Sequence, residues 1–453
     1  MIAITLAANT IFIAPPFFQD LYVCYVMFYV RKFILFFLLM RIIPYLCAKI
    51  HMDLIKMKRL GEKIAFVIGL LVKLPRNILS WFICHRMQMI PGRVMCWAYN
   101  FKQYGCNPKY LTDYLLEHNE NFEIYWVFRR GIDTSQVDKR VKVVKFRSWE
   151  YLKLLATAEF FVTNSRTLPY HIYWHKRPEQ KYLMLWHGGV ALKKIERDAE
   201  KNLGYGYLCK AKADSRIASL MISSCRMHSH LIRHAFGYNG EVLERGIPRN
   251  DVFFQTDRHA DFKKRIFSTY NIDNDSHIVL YAPTFRRNHS IEPYRINWSV
   301  VHSAIREKFG LDKLVFVVRL HPNLIGKVNT QSLVSYNYVV DATNYHDMQE
   351  LLCIADMLIT DYSSSMFDFA MLRKPCILYA TDVAQYDRGY YFNFKHLPFP
   401  LAESENELLS ILKDFNEEKY LSGLEKFYEE TIGLYEDGHA SESIACWMRN
   451  HRS

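Results

Sequence analysis

The chain has 453 residues, half of them hydrophobic and 15% aromatic, with 58 Lys+Arg against 46 Asp+Glu and a formal charge of +12. That is enough chain for two or three domains with full cores, and the composition excludes a disordered or collagen-like protein. The charge is unevenly placed: residues 1–100 hold 12 Lys+Arg and 3 Asp+Glu, so +9 of the +12 lies in the first quarter.

In that quarter the cations are interleaved with apolar runs. Residues 21–30 and 33–40 are apolar with Arg31 and Lys32 between them, and residues 64–72 and 78–84 repeat the theme. A nucleic-acid binder carries its positive patch within or beside a folded reading module. This interleaving points instead to a membrane surface with anionic lipid, and no nucleic acid is expected as a partner. A spanning helix needs about 20 apolar residues, and each central cation costs roughly 2.5–3.5 kcal/mol on insertion scales. Helices lying in the interface are therefore expected, with Lys and Arg at the headgroups; a tilted span or hairpin within residues 10–46 is the alternative. No cation precedes the first apolar stretch, so a cleaved signal peptide is not expected. A start at Met52 or Met57 is a further reading, and the basic amphipathic segment 58–86 is common to both starts. The ten cysteines show no CxxC or Cys/His pairing at zinc spacing, which argues for buried reduced thiols and neither a disulfide framework nor a metal.

After Pro91-Gly92 the pattern changes to short apolar runs alternating with amphipathic stretches. Strands are predicted at residues 94–98, 122–128, 141–144, 160–163, 182–186 and 220–223, with helices at 107–118 and 149–156. A charged helical stretch at 256–270 leads to a second series. Its strands are predicted at 278–282, 314–319, 338–341, 357–360 and 375–379, with helices at 299–309, 347–353 and 367–372. Such alternation predicts an α/β fold of two Rossmann-like domains facing a cleft. The expected division is a membrane-associating region 1–92, a first domain 93–265 and a second domain 266–453.

Open α/β sheets bind ligands at the carboxyl ends of their strands, so the residues there are the candidates for function. Trp186-His187-Gly188-Gly189 follows one strand, and its two glycines allow backbone to approach a ligand closely. Arg319-Leu320-His321-Pro322 ends another; alternation puts Arg319 and His321 on one side, a pair suited to phosphate oxygens. Thr360-Asp361-Tyr362-Ser363-Ser364-Ser365 is a hydroxyl-rich turn running into a helix, a phosphate cradle without the glycines of a P-loop. The turns at residues 246–251 and 282–287 add Arg249 and Arg286. For each alone the bland reading is a satisfied core histidine, a capping serine or a solvated arginine. Together they form an anion-binding cleft without a metal cluster.

The ordered set WHGG-VALKK, ERGIPRNDVF, VLYAPTFRRN, VVRLHP, DATNYHDMQELL and ITDYSSSMFDFAMLRKPCILY, followed by YDRGYYF, resembles the CDP-glycerol glycerophosphotransferase family of teichoic-acid and capsule polymer biosynthesis over about residues 93–400. The resemblance implies a GT-B-like fold and peripheral attachment to the cytoplasmic side of the cell membrane, with no cofactor and no catalytic metal. It also implies transfer of glycerol phosphate or a related polyol phosphate. The donor is CDP-glycerol or another CDP-polyol, the acceptor a hydroxyl of a lipid-linked glycan or polyol-phosphate chain, and CMP is released. Carried across, His187 is the general base and His321 the catalytic histidine near the donor phosphates. Arg319, Thr360, Asp361, Ser363, Ser364 and Ser365 bind the donor, Asp341 to Asp347 lies near the cytidine, and Gly188, Gly189, Arg249 and Arg286 are candidate phosphate or acceptor contacts. Two departures fall on the acceptor side: Gly189 where the family often has Thr, and Val190-Ala191 where Pro follows. The competing expectations are a GT-B glycosyltransferase releasing a nucleoside diphosphate, and a non-catalytic membrane-bound assembly protein.

Overall fold

The computed structural model describes Lys32 and residues 54–166, 174–284, 286, 295–321, 336–383 and 389–453. The apolar runs 21–30 and 33–40, and with them the question of a span within residues 10–46, lie outside the described residues, as does Pro322. The chain divides into two compact units, residues 1–65 and 66–453.

The helix Leu54–Arg86 runs from the first unit into the second. From Phe66 onward one face is inward: Ser80 and Cys84 are buried, and Ile83 and Met87 pack on the core beneath. Its last carbonyls, which have no partner within a helix, are met by Arg177, whose guanidinium donates to Cys84 O at 3.1 Å and Met87 O at 2.7 Å. The opposite face leaves Val67, Ile68, Val72, Ile78, Leu79, Trp81 and Phe82 exposed.

Two parallel sheets follow. The first has strands β1 (Arg93–Trp97), β2 (Glu123–Phe128), β3 (Lys142–Lys145), β4 (Phe160–Thr163), β5 (Lys181–Met184), β6 (Leu220–Ser223) and β7 (Glu241–Glu244), in the order β3-β2-β1-β4-β5-β6-β7. The second has β8 (His277–Ala282), β9 (Leu314–Val318), β10 (Val339–Asp341), β11 (Met357–Thr360), β12 (Cys376–Tyr379) and β13 (Leu401–Ala402), in the order β10-β9-β8-β11-β12-β13. Central strands such as Phe160–Thr163 and Met357–Thr360 are buried at every residue. Helices cover both faces of a parallel sheet, which is why these strands read as unbroken apolar runs rather than as alternation. Each sheet reverses its strand order once, between β1 and β4 and between β8 and β11, and the crevice outside such a reversal is where α/β folds bind ligands. The architecture is the expected pair of Rossmann-like lobes in a GT-B-like arrangement.

Two strands were not expected from sequence. β7 reads Glu-Val-Leu-Glu and lies at the sheet edge, and β13 is two residues long, so neither offers an apolar run to recognise.

The position 265/266 falls inside the helix Thr256–Tyr270, whose Phe262, Ile266 and Phe267 belong to the core of the second lobe. The last helix, Ala440–Asn450, returns to the first lobe: Ile444, Ala445, Trp447 and Met448 pack among Val94, Trp126, Phe160 and Leu183. The turn at 246–251 secures this return. Asp251 accepts from Ala440 N at 2.9 Å and Ser441 N at 2.8 Å, while buried Glu436 accepts from Ile247 N at 3.1 Å and Asn250 Nδ2 at 2.9 Å. Gly246 is at φ 85°, and a Cβ there would stand 2.4 Å from Glu436 Oε2, so glycine is required by both conformation and space.

Candidate active site

His187 follows β5 through Leu185 and Trp186. Trp186 adopts φ 50°, a left-handed conformation uncommon for a bulky residue, and it turns the chain so that His187 faces the crevice. Three consecutive carbonyls hold this turn in place. Asn107 Nδ2 donates to Leu185 O at 2.8 Å and Trp186 O at 2.9 Å, and Arg249 Nη1 donates to His187 O at 2.6 Å. The imidazole Nδ1 lies 3.1 Å from Asn164 O just beyond β4. A carbonyl only accepts, so the proton resides on Nδ1 and Nε2 carries the lone pair. Crowding by surrounding protein, opposed by the Asn164 bond and assisted by the Arg249 cation, lowers the His187 pKa to about 4. The residue is nonetheless exposed at the surface of the crevice. What matters for chemistry is the direction: the ring is neutral at pH 7.

Gly188 has open space where a Cβ would be, whereas a Cβ at Gly189 would stand 2.5 Å from Ser224 Oγ. Glycine at 189 thus lets the loop lie against β6's end, with Ser224 in the space a side chain would take.

In the second lobe Arg319 and His321 follow β9. Arg319 Nη1 is buried and has no hydrogen-bond partner among the described residues. Burial pushes the guanidinium below its usual range, against the pull of Asp347, Tyr99, Tyr270 and Tyr345. A buried N–H without a partner is costly, and an anionic ligand oxygen would satisfy it. His321 is exposed, yet crowding by the surrounding protein, with the cations Lys193 and Arg319, lowers its pKa. Lys193 is brought toward the second lobe by a cross-lobe strand pairing: Lys193 bridges to Tyr390, Lys194 N donates to Gly389 O at 2.8 Å, and Tyr391 N to Leu192 O at 3.0 Å.

The hydroxyl loop divides into an inner and an outer half. Thr360 is buried and its hydroxyl donates to Ala282 O at 2.7 Å. Asp361 is buried as well; its Oδ1 accepts from Thr284 N at 2.8 Å, Thr284 Oγ1 at 2.6 Å and Tyr362 N at 2.6 Å. Its Oδ2 lies 2.8 Å from Arg286 Nη1, an ion pair by distance though not an aligned hydrogen bond. Arg286 also forks onto Asp382 at 2.6 and 2.9 Å and lies over the Tyr362 ring. The side chains of Thr360, Asp361 and Arg286 are thus engaged with protein and shape the loop from beneath. Ser363, Ser364 and Ser365 form the outer, half-buried half, with Ser363 Oγ 2.7 Å from Ser365 Oγ. Ser364 stands at the N-cap of the helix Ser365–Ala370 but makes no capping bond.

Asp341 is half-buried and accepts from Thr343 N at 2.9 Å. Asp347 is buried: it caps the helix Met348–Ile354 through Gln349 N, and its other oxygen meets Lys109 at 3.2 Å and Tyr110 at 3.1 Å from the first lobe. Arg249 is buried too, forked between His187 O and Asp368 of the second lobe. The residues that sequence reading did not single out are those supporting others: Tyr99, Asn107, Lys109, Asn164, Lys193, Asp368 and Asp382. Asn164 stands directly after a predicted strand, and Asp368 lies within the motif ITDYSSSMFDFAMLRKPCILY, so position alone pointed to both. Lys109 and Lys193 reach the site across lobes, and Tyr99, Asn107 and Asp382 through distant segments of their own lobe, which a linear pattern does not display. Among the described residues, no three His, Cys, Asp or Glu side chains gather as a metal site.

Comparison with known proteins bears on this crevice. The family model described as CDP-Glycerol:Poly(glycerophosphate) glycerophosphotransferase matches residues 80–448. The chain is 31% identical over 374 residues to the teichoic acid glycerol-phosphate transferase of Staphylococcus aureus, covering 79% of this chain and 93% of that one. It is 30% identical over 405 residues to the teichoic acid poly(glycerol phosphate) polymerase of Bacillus subtilis, covering 86% of this chain but only 53% of that one, about half its length. A structure of a variant of the wall teichoic acid polymerase TagF superposes with a TM-score of 0.72 at 26% identity, covering 87% of this chain and 97% of that one. A structure of the same polymerase soaked with CDPG superposes with a TM-score of 0.71 at 25% identity, over 87% and 98% of the two chains.

Proposed function

The chain belongs to the CDP-glycerol:poly(glycerophosphate) glycerophosphotransferase family, and on that premise we propose how its crevice carries out the transfer and where the enzyme works. The reaction is transfer of glycerol phosphate from CDP-glycerol to a hydroxyl in teichoic-acid synthesis. The acceptor oxygen attacks the glycerol-bearing phosphorus, a P–O bond forms, the anhydride P–O bond breaks, and CMP leaves. His187, neutral and with Nε2 available, takes the acceptor proton. Bound phosphate brings negative charge and so raises the His187 pKa toward neutrality, where a base is most effective. Arg319, with His321 beside it and Lys193 opposite, holds phosphate oxygens as charge develops, and Ser363 to Ser365 contribute neutral donors. Thr360, Asp361 and Arg286 keep that loop in shape, and Asp341 lines the nucleoside side.

The observation that carries this reading is a neutral base at the carboxyl end of one sheet and, at that of the other, an arginine whose buried Nη1 has no hydrogen-bond partner among the described residues. The acceptor is a lipid-linked glycan or polyol-phosphate chain, and the enzyme works as a peripheral protein on the cytoplasmic side of the membrane. Attachment is through the helix Leu54–Arg86, which over Arg59–Arg86 is long and apolar enough to cross a bilayer by length and composition. Because Ser80 and Cys84 dock on the first lobe, an interfacial orientation with the exposed apolar face in anionic lipid is favoured over a span.

The test is to incubate the full chain with CDP-glycerol, CDP-ribitol and nucleotide sugars plus lipid-linked acceptors, measuring CMP release and donor binding. CMP release with CDP-glycerol is expected. Absence of both CMP release and CDP-polyol binding, with a nucleoside diphosphate released from a sugar donor, would replace this reading by a glycosyltransferase.

A further inference from the structure

We infer that Arg249 and Asp368 form a positioning pair for the transfer, an ion pair between the lobes that holds the backbone of the base and ties it to the donor loop. The inference rests on the reading of His187 as the base. Arg249 leaves the 3-10 turn Pro248–Phe253 of the first lobe, and its two terminal nitrogens diverge: one donates to His187 O at 2.6 Å, the other to Asp368 Oδ2 at 2.5 Å. Asp368 lies on the helix Ser365–Ala370, three residues after the last serine of the hydroxyl loop. The network that reaches His187 O also secures the two preceding carbonyls, because Arg249 N donates at 3.1 Å to the Oδ1 of the same Asn107 that holds Leu185 and Trp186. The left-handed Trp186 is thus fixed from both sides, and the imidazole direction is fixed with it.

Stability alone does not account for such a pair. Replacing a buried ion pair by apolar side chains of similar volume is often neutral or stabilising, whereas a guanidinium fork fixes direction. Gln349 Nε2 stands 3.4 Å from the same carboxylate oxygen, and Asn250, next to Arg249, is held by Glu436, so neither partner is at liberty to swing away. The charged and titratable groups facing the pair are Cys106 and Tyr99 around Arg249, His228 whose pKa Arg249 lowers, and Glu436 and Tyr428 near Asp368. None of them supplies a second cation to His187.

The pair is tested in the full chain with Asp368→Asn, Arg249→Lys and Arg249→Gln, beside His187→Asn. Readouts are kcat and KM for CDP-glycerol at saturating acceptor, donor binding, thermal unfolding, and the pH dependence of kcat/KM. Misplacing a base by an ångström costs about 10²-fold in rate, so kcat is expected to fall by about that factor while donor affinity stays within about threefold. The acid limbs should move in opposite directions. Arg249→Gln removes a cation near His187 and shifts the limb to higher pH; Asp368→Asn leaves that cation unopposed and shifts it to lower pH. General loosening of the fold would not produce that split. The inference is overturned if folded variants keep kcat within threefold, if the loss is confined to donor KM, if both limbs move the same way, or if the near-isosteric Asp368→Asn fails to fold, which would make the pair a staple. Should His187→Asn keep normal turnover, the base assignment fails; should it be inactive while the pair variants are unimpaired, only the positioning inference fails.

Discussion

At the scale of single residues, the two crevice histidines differ in what surrounds them, and they should fail differently when removed. His187 is held through Nδ1 by a carbonyl, which leaves Nε2 as its acceptor. His187→Ala should bind CDP-glycerol normally and lose about 10²–10⁴-fold in single-turnover rate, the usual contribution of general-base catalysis. His321 has Arg319 and Lys193 as its charged neighbours, so His321→Ala should weaken donor binding as well as slow the step. Near-normal turnover of His187→Ala at saturating acceptor would remove it as the base. The pH dependence follows from the same surroundings. A base works when neutral, and the His187 pKa is lowered to about 4, so the acid limb of kcat/KM, which reports the free enzyme, should lie below the ordinary histidine range near 6.5. With donor bound, phosphate charge raises the pKa, and the acid limb of kcat should lie at higher pH than that of kcat/KM. Coincident limbs near pH 6.5 would contradict the assignment.

At the scale of elements, the helix Leu54–Arg86 has two unlike faces. Ile68, Val72, Leu79 and Phe82 recur at intervals of four, seven and three residues, which places them on one stripe, and Val72 and Leu79 are 67% and 57% exposed. Full burial of side chains this size stabilises by about 1.5–3 kcal/mol each. Replacing Val72, Leu79 and Phe82 together by Glu should therefore reduce partition onto anionic vesicles by more than about tenfold, while transfer to a soluble acceptor analogue is unchanged. Vesicle sedimentation checks this, and undiminished binding of the triple variant would place the contact elsewhere. Raising ionic strength should weaken wild-type binding in part, since it screens the headgroup attraction of Lys63, Lys73 and Arg76 and leaves the apolar contact in place. The hydroxyl loop shows the same division of labour on a smaller scale: inner residues make the shape, and the outer serines stay half-buried.

At the scale of the whole molecule, the final helix Ala440–Asn450 closes back onto the first lobe. Asp251 makes this closure by accepting both first backbone N–H groups of the final helix, and burial raises its pKa from 3.8 to about 6. A carboxyl whose folded pKa is raised contributes stability that is fully present below its unfolded pKa and is lost as pH rises through the folded one. A shift of this size corresponds to about 3 kcal/mol. Asp251→Asn does not titrate, so the stability of the wild type relative to it should fall by roughly that amount between about pH 4 and pH 7. Chemical denaturation of both proteins across that range tests the sign, and a constant difference would show that Asp251 titrates normally.

The sequence by itself determined the local and the repetitive. Buried parallel strands such as Phe160–Thr163, Leu220–Ser223 and Met357–Thr360 are apolar at nearly every position, so their runs are legible without a partner, and the βα alternation then dictates two Rossmann-like lobes with His187, Arg319 and the serines at strand ends. Tertiary structure decided everything that depends on contact between distant segments. It placed Arg249 against Asp368 rather than in open crevice, engaged Asp347 with Lys109, turned Asp361 inward to Arg286, and returned Ile444 to Met448 to the first core. The reason is physical. Burial and periodicity act on neighbours along the chain and leave a pattern in it, whereas an ion pair between lobes is one Arg and one Asp separated by 119 residues, and their charges read identically whether they meet each other or a ligand.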